Sequence, residues 1–251
     1  TGCLAERYQD QVMEEIPEVD AVIGIGANAD IVKVCKKALC GVQTNFFPCK
    51  ELLPLEGERM LSTPAHWAYL KISDGCSNCC SYCAIPGIRG PFRSRPMESV
   101  VAEAESLAGR GIKELILIAQ DTTLYGKDCL AELLRRLVQI DGIRWIRLYY
   151  CYPDRITDEL IDVIANEDKI CPYIDIPLQH CNGDVLRAMN RYGNYDSLRQ
   201  LISNMRRRIP GLALRTTFMV GFPGETQAQF EELCRFVKEM EFDKMGCFAY
   251  S

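Results

Sequence analysis

The chain has 251 residues, 48% of them hydrophobic and 25% charged, the balance of an ordinary globular protein long enough to bury a sizeable core. It has no run of 18 or more apolar residues and no export signal, so neither a helical membrane span nor a secreted disulfide scaffold is expected. The net charge of −5 argues against a surface that is a nucleic-acid footprint throughout, though a local basic patch remains open. The opening residues Thr1-Gly2-Cys3 carry no initiating Met and read as the start of a fragment or a processed product.

Residues 4–16 have a helical apolar spacing that ends at Pro17. Asp20 to Gly26 reads as a short strand closing in glycines. Asn28 to Leu39 reads as a helix, with Asn28 or Asp30 near its cap and Gly41 beyond its end. This is the tail of an α/β domain. From Val42 to Pro64 no period is sustained and three prolines interrupt, the pattern of a linker. From Trp67 onward strands alternate with helices. Strands are expected over Ala68–Ser73, Glu114–Ala119, Trp145–Tyr150, Tyr173–Leu178, Leu212–Val220 and Met245–Tyr250. Helices are expected over Met97–Arg110, Cys129–Gln139, Thr157–Ala165, 183–190, 195–208 and Gln227–Glu239. Six such units imply parallel βαβ crossovers, and apolar strands such as ELILIA fit a parallel sheet buried on both faces. Six units are fewer than the eight of a closed barrel. The expected fold is therefore α/β, a partial open (β/α)6 barrel preceded by the tail of an α/β domain.

Ligands of such sheets sit at the carboxyl ends of the strands, and the suggestive residues fall there. The first strand runs into Asp74-Gly75 and a loop with Cys76, Cys79, Cys80 and Cys83. The second ends in Gln120-Asp121-Thr122, the third in Cys151-Tyr152-Pro153, the fourth in Gln179-His180-Cys181, and the fifth in GFPGET, Gly221 to Thr226. Zinc knuckles are normally a dozen or more residues apart; the abutting pairs here would contort a single tetrahedron. Cys76-x3-Cys80-x2-Cys83 instead offers three thiolates to a four-iron cluster and leaves one iron open. Among fourteen cysteines, Cys35, Cys40, Cys49, Cys129, Cys151, Cys171, Cys234 and Cys247 read as small buried hydrophobes of a protein in a reducing cytoplasm. GFPGE also suits a turn capping the next helix. His180 reads first as a satisfied structural histidine and second as a substrate or cofactor contact; His66 has no assigned role. Arg89, Arg93 and Arg95 read as solvated surface or interface pairing, with contact to an anionic cofactor or partner as the sharper alternative.

The Cys-x3-Cys-x2-Cys spacing, with Tyr82 directly before the last cysteine and at the end of the first strand of a βα series, resembles the radical S-adenosylmethionine (SAM) superfamily. There the open iron is chelated by SAM, whose reductive cleavage yields a radical that abstracts hydrogen from an unactivated carbon. Cys79 inside the spacer departs from the pattern and is expected to be a bystander. The resemblance continues into the methylthiotransferase family. Those enzymes have an N-terminal α/β domain holding an auxiliary [4Fe-4S] cluster on three cysteines, a radical SAM core and a small RNA-binding-like β domain. On that basis residues 1–47 are the end of the N-terminal domain, 48–66 a linker and 67–251 the core, truncated after its sixth strand. Cys3, in Thr1-Gly2-Cys3-Leu4-Ala5, resembles the third auxiliary ligand. The other two would lie upstream and the β domain beyond Ser251. An accidental terminal thiol is the alternative.

Four stretches, AQDTTLYG at 119–126, LYYCYP at 148–153, YIDIPLQH at 173–180 and LRTTFMVGFPGET at 214–226, resemble the RimO-type branch. That branch thiomethylates an aspartate β-carbon of ribosomal protein S-twelve. The tRNA branch, which acts on isopentenyl-adenosine, usually differs after the second strand, lacks a comparable His and has an Asp near Thr217. The resemblance implies that Cys76, Cys80 and Cys83 ligate the SAM-binding cluster and that Tyr82 flanks adenine. Gln120 and Asp121 would lie in the methionine-binding motif. Gln179 and Arg191 would make polar contacts to the ribose or carboxylate, and Gly221, Pro223, Gly224 and Glu225 would form the glycine motif near adenine. It further implies a ribosomal-protein substrate, a reductant such as flavodoxin or ferredoxin, and RNA contact through the C-terminal domain. A non-catalytic iron–sulfur electron carrier is the rival from another class.

Overall fold

The computed structural model describes residues 1–50, 57 and 59–251, so the middle of the expected linker at 48–66 lies outside the described residues. The chain divides into two compact units. One comprises Thr1–Gly57, Asp74–Cys79 and Cys83–Arg93, the other Glu58–Ser73, Cys80–Tyr82 and Ser94–Ser251.

In the first unit two short helices, α1 (Cys3–Tyr8) and α2 (Gln11–Glu15), stand where one was expected. Gln9 separates them: its left-handed backbone, φ 42°, ends the first helix, and its N–H bonds back to Ala5 O at 2.9 Å. Strand β1 (Ala21–Ile23), a 3-10 turn over Ile25–Asp30 and helix α3 (Ile31–Leu39) follow. Thr44–Phe46 then forms β2, parallel to β1, which corrects the reading of a linker from Val42. Three residues are too few to display a strand period. Ile23, Ala27 and Val34 make the small core. Buried Glu6 accepts the Ile25 N–H at 2.9 Å and pairs with Lys50 at 3.2 Å, the partners a buried carboxylate requires. A Cβ on Gly24 would lie 2.3 Å from the Glu6 carboxylate, so a larger residue there would displace that side chain.

The elements from Trp67 onward are β3 (Trp67–Lys71), β4 (Ser73–Asp74), α4 (Ile85–Arg89), β5 (Arg93–Ser94), α5 (Met97–Gly109), β6 (Glu114–Ile118), α6 (Leu130–Val138), β7 (Trp145–Leu148), α7 (Asp158–Asn166), β8 (Ile170–Asp175), α8 (Gly183–Ala188), α9 (Tyr195–Arg208), β9 (Ala213–Val220), α10 (Gln227–Met240) and β10 (Lys244–Ala249). The large sheet has the order β10-β9-β8-β7-β6-β3 with every pairing parallel. Each strand thus lies beside its successor, and β3 and β10 are edges that do not pair with one another. This is the expected open (β/α)6 arrangement. The strand expected at Tyr173–Leu178 begins three residues earlier, because Pro172 is tolerated inside it. Past its end the backbone still bonds to β9, with Ile176 N to Arg215 O at 2.9 Å and Gln179 N to Thr217 O at 2.8 Å.

Register explains the core. Leu70, Leu117, Leu148, Ile174 and Leu214 align across five strands. All five are buried in one cluster with residues of α5, α6, α7, α9 and α10. At about 25 cal/mol per Å2 each such side chain stabilises the fold by roughly 1.5–3 kcal/mol. The other face differs from the expectation of burial on both sides. Tyr69, Trp145 and Phe248 are exposed, and Arg147 and Arg215 are half-buried. Helix α10 shows how local signals agree with packing: Thr226 and Gln229 form a capping box, and Leu233, Phe236 and Met240 form its buried stripe. Among the described residues no helix is long and apolar enough to cross a membrane.

Candidate functional site

The cysteine loop begins where β4 ends, and within the first unit its backbone closes on itself. Cys76 N donates to Gly90 O at 3.2 Å and Phe92 N to Ser77 Oγ at 3.2 Å. Gly75, at φ +78°, must be glycine, since a Cβ would fall 2.1 Å from Pro91 O. Cys76, Cys80 and Cys83 are half-buried cysteines outside any disulfide, whereas Cys79 is exposed with a left-handed backbone, φ 52°. Among the described residues no three Cys, His, Asp or Glu side chains converge to hold one metal ion. A four-iron cluster places a different demand on its ligands, one thiolate per iron, and three unbridged thiols on one loop suit that donor set.

Within the second unit Cys80 and Tyr82 are held against the far ends of the strands. Ser81 between them donates its N–H to Met189 O at 3.1 Å and its hydroxyl to Ala188 O at 2.9 Å. The Arg191 guanidinium approaches Cys80 Sγ at 3.7 Å and Tyr82 Oη at 3.3 Å, and donates to Pro177 O at 2.5 Å. It lies over the Tyr152 ring, 4.2 Å from the centroid, and the Tyr152 hydroxyl reaches Cys80 Sγ at 3.5 Å. Tyr82 packs on Val185, Met189 and Phe222. Burial pushes both phenols above their ordinary value. Two buried atoms here have no protein partner, Arg191 Nε and Gln120 Oε1. Orphaned polar atoms of this kind fit a polar ligand.

The other candidates have definite places. Asp121 is buried, taking Thr123 Oγ1 at 2.6 Å and Arg155 at 2.7 Å; Thr123 also accepts the Tyr152 N–H at 3.0 Å. Gln179 has a left-handed backbone, φ 71°, and bridges to Phe218. Gly221 and Gly224 take φ of 73° and 88° with Pro223 between them, a turn that only glycines adopt without strain. Glu225 turns back on this loop, accepting the N–H groups of Gly221 at 2.6 Å and Phe222 at 3.1 Å. Cys3 lies in the first unit and accepts a hydrogen bond from Arg89 at 3.1 Å. The sequence placed Tyr152 at the third strand end without a role and did not single out Arg155, whose only signal was position just after that strand.

Two sequence expectations are corrected here. Of the eight cysteines read as buried hydrophobes only Cys151 is buried; Cys35, Cys40, Cys49 and Cys247 are exposed, and Cys129, Cys171 and Cys234 intermediate. Cysteine's burial preference is a tendency of cores, and the first unit has almost none. Burial lifts the Cys151 and Cys181 thiols to about 12, so both stay protonated. Arg95 is not solvated surface. It is 4% exposed, pairing with Glu103 at 2.5 Å and donating to Lys71 O at 2.8 Å.

His180 is fully enclosed. Its Nδ1 accepts the Asn182 N–H at 2.9 Å, so Nε2 carries the proton and donates to Glu225 at 3.4 Å. Burial holds its pKa below the ordinary histidine value, with Glu225 opposing. The unfolded chain, titrating near ~6.5, therefore binds the extra proton. This contribution to stability is complete above that pH and is lost as pH falls toward the folded-state value. Substituting His180→Gln is expected to flatten the fall in Tm of the apoprotein between about pH 7.5 and about pH 5. An unchanged slope would show that His180 ionises within the fold.

Comparison with known proteins adds the following. The family model described as the radical SAM superfamily matches residues 70–237. A protein of Thermoanaerobacter sp. (strain X514) named ribosomal protein uS12 methylthiotransferase RimO is 51% identical over 257 residues, covering 100% of this chain and 59% of its own length. One of the same name from Pelobacter propionicus is 52% identical over 262 residues, covering 100% of this chain and 57% of its own length. The chain thus spans less than two thirds of the length of these relatives. Among solved structures, the radical SAM methyltransferase TsrM from Kitasatospora setae, with tryptophan substrate and a SAM analogue bound, superposes with a TM-score of 0.64 at 20% identity, over 76% of this chain and 39% of that one. Escherichia coli coproporphyrinogen III oxidase HemN gives 0.57 at 19% identity, over 74% and 44%.

Proposed function

This chain belongs to the radical SAM superfamily, and from that premise we propose that it is the central part of a methylthiotransferase acting on a small-subunit ribosomal protein, at the β-carbon of an aspartate of S-twelve. The observation that carries this reading is identity of about half, along the whole chain, to proteins named for that activity. When bound, the cluster and SAM supply hydrogen abstraction from an unactivated carbon. The chain's own residues hold and orient. Cys76, Cys80 and Cys83 provide one thiolate each, and Cys79 provides none.

Tyr82, on its bed of Val185, Met189 and Phe222, offers a ring face to adenine. Stacking of this kind is worth about 1–3 kcal/mol on nucleic-acid bases. Arg191 and Gln120 have buried polar atoms in reserve for the amino-acid and ribose ends of SAM, with Gln179, beyond the end of β8, as a further polar group. Asp121 keeps Arg155 and the Tyr152 backbone in register. The turn Gly221, Pro223 and Gly224, locked by Glu225, would border the adenine. Cys3 contributes to the auxiliary cluster. A small electron-transfer protein of the flavodoxin or ferredoxin class would supply the electron.

The test uses the full-length protein, reconstituted anaerobically and reduced with SAM. Formation of 5′-deoxyadenosine is expected, together with thiomethylation of ribosomal subunits and not of hypomodified tRNA. Absence of 5′-deoxyadenosine would leave an electron carrier; modification of tRNA alone would transfer the protein to the other branch.

A further inference from the structure

Arg89 closes the first turn-length helix after the cysteine loop and is held at both ends of its guanidinium. Nη2 lies 3.1 Å from Cys3 Sγ, 86 residues away in sequence. Nη1 lies 3.7 Å from Asp74 Oδ2, and the Asp74 side chain is 1% exposed. Asp74 in turn accepts the Gly75 N–H through Oδ1 at 2.9 Å. The next residue, Cys76, donates its N–H to Gly90 O, beside Arg89, at 3.2 Å. A closed circuit of polar contacts therefore runs from the Cys3 sulfur through Arg89 and Asp74 to the root of the cysteine loop. All of its members lie in the first unit.

We propose that Arg89 is a positioning residue for the auxiliary cluster: its hydrogen bond to the Cys3 sulfur raises that cluster's reduction potential, and its pairing with Asp74 fixes the sulfur's place relative to the start of the SAM-cluster loop. This inference rests on the reading of Cys3 as a ligand of that cluster. An N–H donor and a positive charge at a ligating sulfur favour the reduced form, and hydrogen bonds to cluster sulfurs are among the determinants of their potentials. An arginine that paired only with Asp74 would have no need to reach a thiol. Its planar fork suits the double task, since one nitrogen serves each partner, which a lysine could not do.

The test uses full-length protein in which Cys76, Cys80 and Cys83 are all replaced by alanine, so that only the auxiliary cluster is held, with its potential followed by EPR-monitored titration. Arg89→Met is expected to keep the cluster iron and to lower the midpoint by about 59 mV, a tenfold change in the one-electron equilibrium. Arg89→Lys, which keeps the charge but gathers its donors on one nitrogen, should shift it in the same direction by less, and it carries the test if Arg89→Met does not fold. A midpoint and EPR signal unchanged in the foldable variant would overturn the inference. Cys3→Ala in the same background separates the two readings. Loss of the cluster iron there, with Arg89 variants unshifted, refutes the role of Arg89 alone; retention of the iron refutes the assignment of Cys3 and the inference with it.

Discussion

Replacing Cys80 with alanine is expected to abolish reductive cleavage of SAM and to remove the loop's cluster, whereas Cys79→Ala leaves both near their original level. The two residues are adjacent, so composition and spacing alone barely distinguish them. The structure separates them by environment. Cys80 is half-buried, with the Arg191 guanidinium 3.7 Å and the Tyr152 hydroxyl 3.5 Å from its Sγ. Cys79 is exposed and sits on a left-handed backbone, where alanine is no worse than cysteine. A three-thiolate site has no spare ligand, so losing one forfeits the cluster outright. Iron content and 5′-deoxyadenosine yield after anaerobic reconstitution give the answer; equal loss in the two variants would mean that the ligand assignment is wrong.

The second large effect is expected at Arg191. Its guanidinium touches Cys80, Tyr82, Pro177 and the face of Tyr152, yet Nε is buried without a partner. A buried donor left over costs about 1–3 kcal/mol until something accepts its hydrogen bond, and under the proposed function the SAM carboxylate would be that acceptor. Arg191→Met should weaken SAM binding by roughly ten- to a hundredfold, the equivalent of about 1.5–3 kcal/mol for a charged hydrogen bond, with the cluster's iron retained. Arg191→Lys should not rescue it, because an ammonium neither stacks flat on Tyr152 nor serves several acceptors in one plane. Equilibrium binding of SAM to the reconstituted protein tests this; an unchanged dissociation constant would remove Arg191 from the site.

The open parallel sheet was legible because short, apolar-rich runs alternate with stretches of helical spacing. ELILI and WIRL fall where expected, and the six helices between and after the strands are found within a few residues of their expected limits. The first unit was harder. TNF at 44–46 has no room for a period, and nothing in LAERYQDQVMEEI marks Gln9 as the break between two helices. Burial of individual thiols was misjudged because it depends on what packs above them, which spacing does not encode. Strand ends located Cys80, Gln120, Gln179 and the Gly221 turn in sequence, but the stack of Arg191 on Tyr152 joins residues 39 apart through tertiary structure alone. Tyr152 was placed at a strand end by sequence, but its partnership with Arg191 surfaced only in three dimensions.

The edges of the large sheet bear on what can pair with it. A closed barrel leaves no strand without a partner on each side. In this sheet, among the described residues, β3 and β10 each pair on one side, and Met245 and Phe248 along β10 are exposed. An edge strand presents a row of backbone N–H and C=O groups as a template for a further strand, so the sheet can be extended at β10 without disturbing the pairs already made.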